Sequence, residues 1–166
     1  MKVIKNFLPK DVFNKVKQIL EDPRFPYYYQ SSVLPFEPKK KWKNYDYFFC
    51  HTLFRDGEQT SEDPFIKNIL HPITNKLKVK KIIRAKVNLY TNQHKHFESA
   101  YHVDTDDNVK IALFSVNTNN GWTEFEKGEK FLSEENSIVL FNSKHRHRAV
   151  TQTDSKIRIN ININYE

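Results

Sequence analysis

Two segments of the chain alternate strictly between apolar and polar residues. Ile83, Ala85, Val87 and Leu89 interleave with Arg84, Lys86, Asn88 and Tyr90. Near the C-terminal end Ile157, Ile159, Ile161 and Ile163 interleave with Arg158, Asn160, Asn162 and Asn164. A period of two is the mark of a β-strand with one buried face. Between these two segments, residues 109–116, 137–141, 123–125 and 148–150 read as shorter strands, with turns at 117–121 and 141–144. The first half has a different period. Val12, Phe13, Val16, Ile19 and Leu20 recur at helical spacing, and Pro9 and Asp11 suit a first turn. After Asp63-Pro64, the residues Phe65, Ile66, Ile69 and Leu70 share a second helical face, which is expected to be interrupted near Pro72. Residues 23–60 are rich in aromatics but weakly periodic and read as loops with one or two strands.

This order of elements predicts a mainly β chain with N-terminal helices, an α+β protein built on a sandwich or jelly roll. A length of 166 residues fits one domain. Residues 1–81 would be a helical and loop-rich support region and residues 82–164 the β core. If the helices cover the aliphatic faces of the two alternating strands, their other faces turn inward. Arg84, Lys86, Asn88, Tyr90, Arg158, Asn160 and Asn162 would then make a polar interior, which is a ligand site. The competing expectation is an antiparallel sheet whose polar face meets solvent.

Composition narrows the class. Hydrophobic residues at 38% and aromatics at 14% describe a folding chain, not a disordered one. Cys50 is alone, so no internal disulfide forms and a reducing cytoplasmic compartment is expected. No apolar run is long enough to span a bilayer, and Met1-Lys2-Val3-Ile4-Lys5-Asn6 lacks the character of a signal peptide, so no membrane partner is expected. The net charge of +7 is compatible with nucleic acid, or with an ordinary Lys-rich surface.

The candidate chemistry begins at His102-Val103-Asp104. On a strand, residues i and i+2 share a face, so this imidazole and carboxylate can reach one ion. A second imidazole would come from His145 or His147, just after the strand at 137–141. Two histidines and one carboxylate on one side of an ion leave the other side open, the arrangement of non-haem Fe(II) oxygenases. A structural zinc site would call for four protein ligands, usually with Cys. Eleven positions after His147, Arg158 lies on the polar face of the last strand, where a guanidinium can hold a carboxylate by paired hydrogen bonds.

Several segments together resemble the prolyl 4-hydroxylase-like branch of the 2-oxoglutarate/Fe(II) dioxygenases. They are Asn88-Leu89-Tyr90, Tyr101-His102-Val103-Asp104, Gly121-Trp122-Thr123-Glu124-Phe125, His147-Arg148-Ala149-Val150 and Arg158-Ile159-Asn160, in the family's order. The resemblance covers residues 82–164 well and the first 80 loosely. It implies a double-stranded β-helix (a cupin-like jelly roll) with Fe(II) held by His102, Asp104 and His147, the last preferred over His145. It also implies 2-oxoglutarate as cosubstrate, with Arg158 and Tyr90 on its distal carboxylate, Asn88 and Asn160 nearby, and O2 consumed with ascorbate in support. Where the family often has Gly-Gly, Trp122 takes the second place and is expected to narrow or cover the site.

The implied reaction is hydroxylation of a C–H bond, first on a protein or peptide side chain such as proline. Oxidative demethylation of a nucleic-acid base by an AlkB-type enzyme is the second reading, although the second Arg of that pattern is replaced by Asn164. An inactive jelly-roll binding module is the third. Tyr27-Tyr28-Tyr29, Lys39-Lys40-Lys41 and the 42–49 segment are candidates for a substrate groove, and His94 and His96 for a nearby loop. The oligomeric state is open.

Overall fold

The protein is described by a computed structural model for residues 1–33 and 44–166. The Lys39-Lys40-Lys41 run and Trp42 of the expected substrate groove lie outside the described residues. The chain begins with β1 (Lys2–Ile4) and α1 (Lys10–Glu21). Short β2 (Tyr28–Gln30), long β3 (Phe48–Arg55) and two-residue β4 (Glu58–Gln59) follow. A continuous helical run comes next: α2 (Asp63–Phe65), a π-helical turn (Ile66–Leu70) and α3 (His71–Leu77). The expected break near Pro72 is absent. Pro72 falls at the start of α3, where the preceding π turn has already released the hydrogen bond that a proline cannot make.

The C-terminal half is β5 (Ile82–Thr91), β6 (Lys110–Ser115), β7 (Trp122–Phe125), β8 (Lys130–Leu132), β9 (Ser137–Asn142), β10 (His147–Val150) and β11 (Ile157–Tyr165). All pairings are antiparallel. The larger sheet runs β1-β9-β6-β11-β5-β3-β2, with β4 on β3, and the smaller runs β10-β7-β8. Short β1 and β8 were not legible as strands, because three residues carry too little alternation to register a period. Residues 23–60, expected as loops with one or two strands, hold β2, β3 and β4, and the bounds of β3 were not legible because Phe48, Phe49, Leu53 and Phe54 put apolar residues on both its faces.

Two apolar layers hold the sheets. One joins the helices to the outer face of the larger sheet, bringing Phe13, Val16 and Leu20 of α1 against Ala85, Val87, Ile159 and Ile161. The other lies between the sheets, where Ile111, Leu113, Val139 and Phe141 meet Phe125 and Phe131. The helices therefore cover the isoleucine faces of β5 and β11, and the polar faces turn into the space between the sheets. Within it, Arg158 sits opposite Tyr90, Asn160 opposite Asn88, and Asn162 opposite Lys86. One half of the jelly-roll interior is apolar core and the other is polar cavity.

Candidate metal centre

β10 pairs with β7, which places His147 opposite Phe125. Its ring rests on Phe125 and on the edge of Phe141, with centroids 6.0 and 5.1 Å away. His102 approaches from the other side through a single antiparallel bridge, each backbone N–H donating to the other residue's carbonyl at 2.9 Å. The expectation that 102–104 forms a strand is corrected here. Pairing ends at His102 and the chain bends at Asp104, because the next residues, Thr105 to Asp107, form a polar turn with its own side-chain hydrogen bonds. That bend carries Asp104 toward β5 and β11.

His102, Asp104 and His147 meet with their ligating atoms all within 4.8 Å of one another. The imidazole centroids are 4.7 Å apart, and Asp104 Oδ2 lies 3.6 Å from His147 Nε2. Each ring has Nδ1 beside a carbonyl oxygen, Ala100 O at 3.2 Å for His102 and His145 O at 3.0 Å for His147. A carbonyl can only accept, so Nδ1 carries the proton and Nε2 presents its lone pair to the cluster. This is how a histidine is oriented for a metal. Arg84 Nη2 donates to Asp104 Oδ1 at 2.8 Å and Asn162 Nδ2 to Oδ2 at 3.2 Å. His145 is exposed and turned back toward Asn142 O, so His147 is the histidine that joins the pair.

Electrostatics favour the metal-binding protonation states. Burial pushes the His102 pKa down, and the neighbouring His147 acts in the same sense, so the ring stays neutral. Burial raises the Asp104 pKa, but His147, Arg84 and Lys86 together outweigh it and leave the carboxylate ionised. The donor set of two imidazoles and one carboxylate, all from one side, fits Fe(II).

The open side of the cluster is a cavity of about 430 Å³ bordered by the polar faces of β3, β5 and β11. Lys86, Asn88, Tyr90, Asn160 and Asn162 all reach it, as the inward-facing expectation requires. Asn88 Nδ2 donates to Asn160 Oδ1 at 2.9 Å, while Asn88 Oδ1 and Asn162 Oδ1 are buried without a partner among the described residues. Buried polar atoms left open at a cavity wall are fitted to a polar ligand.

Arg158, 1% exposed, lies behind the cavity wall against Tyr90 and Thr123. Its nitrogens donate to Ser133 Oγ at 2.8 Å, Val150 O at 3.2 Å and Thr123 Oγ1 at 3.1 Å, and its guanidinium lies 5.4 Å from the Tyr90 ring centroid. No carboxylate neutralises it among the described residues, and Thr123 and Tyr90 join it to the cavity. Burial raises the Tyr90 pKa to about 12, against the opposing pull of Arg158, so its hydroxyl remains a donor. Gly121 is required by close approach. A Cβ there would stand 3.0 Å from Arg158 Cδ and 3.0 Å from Val150 O.

Other expectations fall elsewhere. Trp122 does not border the cavity: alternation in β7 turns Thr123 inward and Trp122 outward, against His96 at 5.0 Å and under Lys130. His94 is exposed, and His96 binds Thr151 O through Nδ1. Tyr28 and Tyr29 are exposed and do not border the cavity, whereas the Tyr27 hydroxyl donates to Leu20 O. Arg84 and Asn162 were legible as inward-facing residues, but their grip on Asp104 was not.

No protein-family model and no curated protein matches the chain. Solved structures do match. A prolyl hydroxylase from Trichoplax adhaerens, in complex with a hypoxia inducible factor oxygen degradation domain peptide, aligns with 99% of this chain and 82% of its own, at TM-score 0.68 and 14% identity. A Pseudomonas putida prolyl-4-hydroxylase aligns with 99% of this chain and 91% of its own, at TM-score 0.63 and 13% identity. The chain has the fold of the 2-oxoglutarate/Fe(II) oxygenases. That fold also serves other chemistry, as in the non-haem α-ketoglutarate-dependent epimerase SnoN, which aligns with 99% of this chain and 76% of its own at TM-score 0.66 and 10% identity. At such identities the oxygenase fold is common ground, and activity is argued from the site.

Proposed function

We propose that the protein is an Fe(II)- and 2-oxoglutarate-dependent oxygenase that hydroxylates a C–H bond, on a protein or peptide side chain such as proline, releasing succinate and CO2. The observation that carries this reading is the meeting of His102, Asp104 and His147 on the wall of a polar cavity that Tyr90 and Thr123 also border, with the buried Arg158 against both and without a counter-ion among the described residues. The three side chains would hold Fe(II), and Arg158 with Tyr90 would receive the distal carboxylate of 2-oxoglutarate. Asn88 and Asn160 would line the path between them. Bound metal and cosubstrate supply the oxidant, O2 being reduced as 2-oxoglutarate is decarboxylated.

The chain's own residues bind, orient and exclude water. Phe125 and Phe141 keep the His147 side dry and fix its ring. Arg84 and Asn162 fix the carboxylate. A peptide target is favoured by the overall likeness to two prolyl hydroxylases, one of them solved with a peptide. The +7 charge supports a nucleic-acid base as the second substrate class.

Succinate formation with Fe(II), 2-oxoglutarate and ascorbate tests the reading, with proline-containing peptides and methylated oligonucleotides as separate arms. Succinate dependent on a peptide is the expected result. Dependence on an oligonucleotide would move the substrate class. No succinate in any arm, together with no binding of 2-oxoglutarate, would leave a jelly-roll binding module.

A further inference from the structure

The cavity carries more positive charge than its known parts use. Among the described residues, the charged side chains that border it are Arg55, Arg84, Lys86 and Asp104, three cations and one carboxylate. Arg84 is committed to Asp104 at 2.8 Å. Arg55 and Lys86 form no ion pair among the described residues. The Lys86 ammonium lies 5.6 Å from the Phe48 ring centroid.

Register explains how the two come together. On β5, Lys86 sits between Thr52 of β3 and Asn162 of β11, beside the amide that binds Asp104. An irregularity between Thr52 and Phe54 pairs Phe54 with Ala85 on the helix side. The next residue, Arg55, therefore returns to the cavity wall. Arg55 and Lys86 border the cavity together with Cys50 and Thr52, the latter paired with Lys86 across the strands. Thr52 and Gln30 supply a hydroxyl and an amide beside them.

Asp104 acts on Lys86 through space but forms no ion pair with it, its oxygens being bonded to Arg84 and Asn162. The proposed contents would not neutralise it either. A divalent cation and a dicarboxylate cancel, and Arg158 is held away from Lys86 and Arg55 by Ser133, Val150 and Thr123. The partly buried Lys86 ammonium, with no ion-pair partner among the described residues, is costly to hold there, and an anion relieves that cost, while the exposed Arg55 guanidinium beside it adds positive charge at the edge of the cavity.

We propose that Lys86 and Arg55, with Thr52 and Gln30 beside them, form a subsite for a carboxylate or phosphate group on the molecule to be oxidised. The role in oxidation rests on the function proposed above, whereas the anion subsite stands on the cavity itself.

The test uses the full, metal-free chain. Inorganic phosphate is followed by 31P line broadening, and N-acetyl-aspartate amide is titrated calorimetrically against N-acetyl-asparagine amide. Saturable binding of phosphate or of the aspartate amide is expected, with the asparagine amide silent. Whichever anion binds more tightly names the group. Lys86→Met and Arg55→Met should each weaken binding by roughly 10-fold, one charge-assisted hydrogen bond being lost. Lys86→Arg should restore it, and circular dichroism should show each variant folded.

No binding of either anion to the wild-type chain would overturn the proposal. Equal binding by Lys86→Met, or loss on Arg158→Lys with Lys86→Met unaffected, would do the same. A chain that binds anions through Lys86 yet makes no succinate with any substrate would sink the oxygenase reading and keep the subsite.

Discussion

Arg84 Nη2 donates to Asp104 Oδ1 at 2.8 Å, while Asp104 Oδ2 stands 3.6 Å from His147 Nε2. One carboxylate oxygen is thereby tied to Arg84, and the other, which also accepts from Asn162, is aimed at the histidines. This division suits a carboxylate that gives a metal one oxygen.

Losing the tie should weaken metal binding without removing a ligand. Arg84→Gln is expected to lower Co(II) affinity by about 10- to 100-fold, the usual effect of removing a partner that orients a ligand. Asp104→Ala should abolish it. Titration followed by the Co(II) visible bands measures both, and an Arg84→Gln protein with wild-type affinity would refute the positioning role.

The two histidines of the 145–147 segment separate cleanly. His147→Ala should lose Co(II) binding, since its Nε2 belongs to the cluster. His145→Ala should leave the affinity within about 2-fold, because its ring is exposed and faces Asn142 O, beyond the reach of the metal's ligand shell. A reversed result would reassign the distal ligand.

Arg158 is predicted to act on the cosubstrate. Arg158→Lys keeps a charge but loses the planar fork, and should raise the Kd of 2-oxoglutarate roughly 10-fold while Co(II) affinity holds. Calorimetric titration of the metal-loaded protein reads this directly. Unchanged 2-oxoglutarate affinity would place the distal carboxylate elsewhere in the cavity.

The alternating strands made much of this arrangement legible in advance. Once the helices are seen to cover Ile159 and Ile161, period two forces Arg158, Asn160 and Asn162 to the cavity side. The meeting of His102 with His147 was suggested by residue type and order. What could not be read was geometry set by tertiary contacts. Nothing local announces that the chain bends at Asp104 to meet Arg84, twenty positions earlier on β5. Arg55 was equally hidden, because a strand irregularity decides which face it joins.

Acid should destabilise the metal-free protein earlier than an unshifted pair would. The His102 pKa is depressed in the fold, by burial and then by His147, so below the ordinary histidine value of 6.5 the unfolded chain takes up a proton that the folded chain refuses. The unfolded state then binds more protons, and stability falls as pH drops through that window. Asp104, also depressed, contributes stability above its ordinary value of 3.8 that is lost as pH falls through its folded value. The slope is at most about 1.4 kcal/mol per pH unit for each group. Urea midpoints at pH 8 and pH 5.5 should therefore differ, with a smaller difference in His102→Asn. Midpoints that rise on acidification would contradict the sign.

The last prediction concerns how the His102 segment is held. Arg148 Nε donates to Glu124 Oε2 at 2.8 Å and Nη1 to Glu98 Oε2 at 2.5 Å, and its guanidinium carbon lies 4.6 Å from the Tyr101 ring centroid. One side chain thus ties the strand that carries His147 to the segment that leads into His102. The Glu124 pair is largely shielded, whereas Glu98 is 43% exposed and its pair is weakened by solvent. Arg148→Ala should cost about 1–3 kcal/mol in urea unfolding, most of it through Glu124 and Tyr101. Because no metal-facing atom is removed, Co(II) affinity should fall less than in Arg84→Gln. Glu98→Gln should cost well under 1 kcal/mol. If Arg148→Ala unfolds at the wild-type urea midpoint, the clamp contributes nothing, and the bridge between His102 and His147 holds the segment by itself.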